Sequence, residues 1–168
     1  MHRILEGKLD SDLEAKKRAK EASKTRDKVE EIFANLTPED RRLLGCKPDE
    51  NRYMTEKEEQ WVAKRFLIEI GNKPIAFFDV LTDGISASVC FAVRSDWQKK
   101  GYGQRITKMG NDWIDKNLKL FDHVEWNILK ENIASKKLAE RYKWERWPSR
   151  DYKNSVGEFE CYIKSPRS

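Results

Sequence analysis

Between residues 64 and 93 apolar side chains recur with a period near two, and two glycine turns cut the run. "KRFLIEI" stops at Gly71-Asn72, "PIAFFDVL" stops at Asp83-Gly84, and "ISASVCFAV" follows. Glycine-containing dipeptides of this kind close hairpins. Strands joined by turns this short pair with their sequence neighbours, so the segment predicts an antiparallel three-strand meander. The rest of the chain has to build around it.

After residue 103 the period lengthens. "QRITKMGNDWIDKNLKL" puts Ile106, Met109, Trp113 and Ile114 on one helical face, and Gly110 points to a close packing approach. "HVEWNILK" reads as the next strand and "NIASKKLAERY" as the next helix, entered by Asn132. "KWERW" and "GEFECYIK" read as a closing hairpin. A strand reached through a crossover helix lies parallel to its partner. "ISASVCFAV" and "HVEWNILK" are therefore the expected parallel pair inside a mixed α/β sheet.

The first third is helical and polar. In "DSDLEAKKRAKEASKTRDKVEEIFANL", Val29, Ile32, Phe33 and Leu36 fall at i, i+3, i+4 and i+7. Thr37-Pro38-Glu39 opens a short helix through Leu44, which Gly45 closes. The basic tract "KKRAKEASKTR" offers contacts to nucleic acid, but charges of both signs interleaved on a helix read as a solvated face. No repeat or low-complexity linker divides the chain. One domain over 1–168 is expected, its helical part over about 10–62 and its sheet part over about 63–164.

A net charge of +5 favours acidic partners, whether a phosphate-bearing cofactor, nucleic acid or an anionic surface. The seven Phe, six Trp and five Tyr exclude a disordered chain. Cys46, Cys90 and Cys161 are widely spaced and His2 and His123 are the only histidines, so neither a zinc site nor a Cys–His dyad is expected. "MHRILEGKLDSD" lacks the apolar core of a signal peptide, and no run is long enough to span a bilayer. A cytoplasmic protein with reduced thiols, no metal and no membrane partner is the expectation, as monomer or homodimer.

"DWQKKGYGQRI" joins the third strand to the long helix. A helix N-terminus exposes unpaired amides and the positive end of the dipole, which together hold anions. Glycines at 101 and 103 would let backbone approach a phosphate. No Gly-Lys-Ser/Thr follows, so this is not a Walker loop, and the dinucleotide fingerprint lacks its third glycine. A tight connecting turn and a phosphate loop both fit these residues.

Gln98-Lys99-Lys100-Gly101-Tyr102-Gly103 resembles the acetyl-CoA loop of the GNAT superfamily of N-acetyltransferases, with its pattern Gln/Arg-x-x-Gly-x-Gly/Ala. Downstream, Asn132 to Trp144 is similar to that family's N-x-x-A/S helix segment. The serine form is closest to the branch of ribosomal-protein N-terminal acetyltransferases. The resemblance implies a splayed mixed sheet with flanking helices. The pantetheine of acetyl-CoA would lie between strands ending near Val93 and Ile128. It implies a cofactor-binding set of Val93, Gln98, Lys99, Lys100, Gly101, Tyr102, Gly103, Gln104, Asn132 and Ser135, with the pyrophosphate on the amides from Lys99 to Gly103. Nucleic acid is then not the expected partner.

The implied reaction is direct attack of an acceptor amine, from a protein N-terminus, a lysine or a small molecule, on the acetyl thioester. An ammonium has to lose a proton first, since a lysine has a pKa of about 10.4 and an α-amine about 8. The oxyanion needs a donor, and a strand amide near Val93 is the candidate. The chain departs from the family at two places. "ISASVCFAV" holds no carboxylate, and the usual tyrosine position on the helix is Ala139. Ser135 is the substitute hydrogen-bond donor to the sulfur, and Tyr142, seven residues further on, is the second choice. Glu125 and Asp79 are the nearest carboxylates for a base, although strand alternation makes each a solvated residue. His123 begins its strand. Cys90 reads as a small buried hydrophobe, and Trp144 and Trp147 read as core or as an acceptor wall. The alternative function is a non-catalytic GNAT-fold module that binds CoA or nucleic acid.

Overall fold

The strand that organises the protein is buried on both faces. In the computed structural model, which describes residues 25–166, β2 (Lys73–Thr82) is buried from Pro74 to Val80. It lies between β1 (Val62–Ile70) and β3 (Ala87–Val93), antiparallel to each, which is the expected meander. Gly71 and Gly84 supply the left-handed turn positions, at φ 62° and 97°. The Asp83 carboxylate locks the second turn, accepting from the amides of Ile85 and Ser86 at 2.9 Å each.

Two helices cover the meander. Helix α1, helical over 25–34, lays Val29, Ile32 and Phe33 on one face, against Phe77 and Ala92. Its expected apolar stripe is therefore observed. The basic tract at 16–26 lies outside the described residues except for its last two. Thr37 caps α2 (Pro38–Leu43) by accepting from the Asp40 amide, and α3 (Glu56–Glu59) opens on a capping box at Thr55. On the opposite face α4 (Tyr102–Asn117) packs Ile106 and Ile114 against Phe78 and Val80.

The buried stripe of α4 differs from the expected one. It comprises Ile106, Thr107, Gly110, Asn111 and Ile114, while Met109 is 37% exposed. The helix turns small and polar residues inward because each polar group has a partner. Thr107 Oγ1 donates to the Gly103 carbonyl at 2.6 Å. Asn111 donates to the Thr107 carbonyl at 2.8 Å and accepts from Trp144 Nε1 at 2.7 Å. Gly110 is the point of closest approach, as expected: a Cβ there would lie 2.4 Å from the Phe78 ring.

Burial on both faces also overturns the solvated reading of Asp79. Alternation sends a polar strand residue to solvent only when one face is free, and α1 and its following loop cover this one. Asp79 is fully buried and paired with Arg65, its cross-strand neighbour on β1.

Beyond the meander come β4 (Val124–Leu129) and α5 (Ile133–Arg141), then short strands β5 (Glu145–Arg146) and β6 (Tyr152–Lys153), and finally β7 (Glu158–Lys164). The sheet order is β1-β2-β3-β4-β7-β5, with β6 also on β7. β5 and β7 form the expected closing hairpin. β3 and β4 are parallel, as expected, but pair only at Ala87–Val124 and Ser88–Glu125. Past those residues they diverge, and β4 satisfies its other edge on β7 over six residue pairs.

Gly110→Ala is expected to lower stability by about 1–3 kcal/mol in urea unfolding, since Phe78 has to move. Arg65→Met leaves two buried carboxylates without their cation and is expected to cost about 3–5 kcal/mol in the same assay.

Candidate functional site

The divergence of β3 from β4 opens a cleft of about 260 Å³. Its walls are β3 from Val89 to Val93 and β4 from Trp126 to Ile128, and the loop that follows β3 and the start of α5 that follows β4 line it beyond the C-terminal ends of the two parallel strands. Leu36 and residues Asp40, Leu43 and Leu44 of the α2 region close it from above. A narrow cleft of this size suits a slim flexible chain better than a fused ring system.

The loop is shaped by left-handed residues. Lys99 has φ 63° and Gly101, the residue preceding α4, has φ 89°. Such alternation turns successive amides toward one concave side, a geometry that binds anions. The four-turn helix behind it has no side-chain cap and no acidic residue in its first turn, so its positive end is not neutralised locally. Lys100 Nζ sits 4.6 Å from the Trp97 ring centre and Lys73 Nζ sits 5.9 Å from it, on the outer side of the loop. Trp97 in turn meets Tyr102 edge-on.

The structure brings together most, but not all, of the residues singled out by sequence. Val93, Gln98, Lys99, Gly103, Asn132 and Ser135 line the cleft. Lys100, Gly101, Tyr102 and Gln104 belong to the loop and first helical turn without lining it. Gln98 Nε2 donates to the Val93 carbonyl at 3.2 Å and to Asp40 at 3.0 Å. Asn132 caps α5 by accepting from the Ser135 amide at 3.2 Å, and its own amide group faces the Leu43 carbonyl at 3.5 Å. Ser135 is buried in the first turn of α5.

Two of the three catalytic candidates lie elsewhere. Glu125 sits where β3 and β4 still pair, so its side chain emerges at the closed end of the V. There it accepts from Arg150 and contacts His123 Nε2 at 3.0 Å. Tyr142 follows the last turn of α5 and packs against the core, because two helical turns carry it past the cleft. Trp144 is core, bonded to Asn111, and Trp147 stacks edge-on with His123, so neither walls the cleft.

Sequence reasoning missed Asp40, Leu43 and Leu44, which reach the cleft only through the fold. It also treated Cys90 as a buried hydrophobe, whereas Cys90 is half-buried and lines the cleft. Burial pushes its thiol well above the ordinary range, so it stays protonated. Among the described residues no group of three or more His, Cys, Asp or Glu could hold a metal, and no helix is long and apolar enough to cross a membrane.

A mixed sheet splayed after its first parallel pair, with a glycine loop leading from the splayed strand into a helix, defines the fold of the GNAT acetyltransferases. Solved structures bear this out. A GNAT-family acetyltransferase from Streptococcus pneumoniae superposes with a TM-score of 0.63 at 11% identity, covering 88% of this chain and 95% of that one. A ribosomal L7/L12 alpha-N-protein acetyltransferase in complex with coenzyme A gives 0.61 at 11% identity, covering 84% and 89%. A ribosomal-protein-S5-alanine acetyltransferase from Vibrio fischeri matches over 56% of this chain and only 55% of its own length, at 16% identity and a TM-score of 0.47. No family model matches the chain, and no curated protein matches its sequence. At these identities the first two likenesses establish the fold.

The two loop glycines have different physical roles. A Cβ on Gly101 meets nothing within 4 Å, so Gly101→Ala carries only the left-handed penalty of about 1–2 kcal/mol. Gly103 has no positive φ, and its Cβ would lie 3.9 Å from Val93. Gly103→Ala is therefore expected to leave the thermal midpoint unchanged or slightly raised, while Gly101→Ala lowers it.

Proposed function

We propose that the protein is an N-acetyltransferase that moves an acetyl group from acetyl-CoA to a primary amine by direct attack. The observation that carries this reading is the cleft itself: it runs between the splayed strands and ends on a loop whose left-handed residues and uncapped helix suit a pyrophosphate. Acetyl-CoA supplies an activated acetyl thioester.

The chain's own groups fit such a cosubstrate. The amides between Lys99 and Gly103 are the phosphate donors, and Gly103, a lining residue without a side chain, keeps backbone accessible. Gln98 becomes available to a phosphate oxygen when its Nε2 leaves Asp40. Asn132 and Ser135 form the opposite wall, where a polar chain can find hydrogen bonds. Strand amides near Val93, freed by the loss of pairing to β4, are candidate donors to a developing oxyanion. The serine-type α5 and the likeness to the L7/L12 enzyme support a protein N-terminus as acceptor over a lysine or a small amine.

A second reading, a binding module without catalysis, draws on one observation. Among the described residues Asp40 is the only carboxylate lining the cleft, and it is already bonded to Ser95 and Gln98.

Calorimetric titration with CoA, followed by thiol release from acetyl-CoA with peptides and small amines, separates the two. Gly103→Glu is expected to abolish CoA binding by putting an anion against the phosphates, whereas Lys99→Ala weakens it about tenfold or less. Tight CoA binding without thiol release for any amine would establish the module.

A further inference from the structure

The β4 wall of the cleft carries one polar side chain without a partner. Trp126 and Ile128 are buried, and Asn127 stands half-buried between them. Among the described residues the asparagines that are not exposed are Asn111, Asn117, Asn127 and Asn132. Asn111 donates to the Thr107 carbonyl and accepts from Trp144, Asn117 donates to the Trp113 carbonyl, and Asn132 caps α5. The Asn127 side chain has no hydrogen-bond partner among the described residues. Its amide loses hydration when a substrate fills the cleft, so the occupant has to supply what the protein does not.

Register fixes where this amide stands. Ser88 and Glu125 are the last parallel pair of β3 and β4. Cys90 and Asn127 each follow that pair by two residues, so alternation returns both to its face of the sheet, on either side of the opening gap. Leu44 packs with Ala92, two residues past Cys90, so the end of α2 covers this face. The opposite face is closed, because Val89, Val93, Trp126 and Ile128 are buried in the core with Ile106 and Ile114 of α4. A chain that enters past the loop and the ends of both strands has its tip nearest the vertex. Asn127, two residues from the last pair, lies at that end.

We propose that the Asn127 side chain binds the acceptor amine, its Oδ1 accepting from an amine N–H while the nitrogen lone pair faces the acetyl carbon. This rests on the N-acetyltransferase reading. The chemistry of the two substrates decides the assignment. A thioester offers only acceptors, its carbonyl oxygen and its sulfur, so it can take an Asn127 Nδ2–H but leaves Oδ1 without a donor. The nearest amide N–H of the cosubstrate lies further back along its arm, on the side of Asn132 and Ser135. The amine is the donor that the reaction itself brings to the tip. Asn127 takes no proton and forms no covalent bond; it binds and orients the nucleophile.

The test uses the most active peptide or small amine of the thiol-release panel, set against its des-amino analogue. Calorimetry on the CoA-bound wild type is expected to show the amine bound about tenfold more tightly than the analogue. Asn127→Leu keeps the volume and removes both polar groups. In that variant the two compounds are expected to bind alike, KM for the amine to rise about tenfold, and CoA to bind as in the wild type. Asn127→Ala repeats the measurement if the leucine variant does not fold, with the same loss of preference expected. A wild type without the preference, or a variant that keeps it, overturns the assignment. A variant that binds CoA more weakly while its amine KM is unchanged overturns it too, and gives Asn127 to the cosubstrate arm. A wild type that binds CoA but releases no thiol with any amine overturns the N-acetyltransferase reading and this assignment with it.

Discussion

The parallel pairing of β3 and β4 stops after two residue pairs, and the rest of the molecule is arranged around that interruption. Strand edges left unpaired inside a protein carry unsatisfied amides and carbonyls, which is unfavourable unless something else meets them. β4 solves half of the problem by pairing with β7 on its other edge. β3 solves the other half with β2, along its full length. What is left between them is a wedge whose walls are backbone edges, and the short α2 helix covers it. Apolar side chains line the middle, and an anion-seeking loop lies at one end.

Holding that wedge open requires a rigid meander, and the two helices that sandwich β2 provide it. On the α4 side the contact is steric, with Gly110 letting the helix backbone settle onto Phe78. On the α1 side it is both apolar and ionic. Phe77 meets α1, while Asp79, two residues on, is held by Arg65 and Tyr53, and Glu59 accepts from the same guanidinium. A buried ion cluster adds little net stability compared with well-packed hydrocarbon.

Much of this was legible before any coordinates. The glycine turns at 71 and 84 dictated the meander, and the crossover through α4 dictated the parallel pair. Asn132 was readable as a cap, and the glycine loop as an anion cradle at a helix start. The burial face of α4 was harder. Periodicity favoured Met109 and Trp113, but Thr107 and Asn111 went inside because partners on the same helix and on Trp144 satisfied them. Glu125 looked usable as a strand carboxylate, yet its register places it at the closed end of the V.

Local chemistry alone determined the element order, the turns, the caps and the shape of the loop, because each depends on residues within a few positions of one another. Tertiary structure decided which polar residues were buried and which faced the cleft. Asp40, Cys90 and Asp79 lie on different elements, and nothing in their sequence spacing relates them. Only the covering of both faces of β2 buries Asp79 with Arg65, and only the divergence of β3 from β4 turns Cys90 and Asp40 toward one cleft. Those are facts about which surfaces exclude water, and they exist only once the whole sheet is assembled.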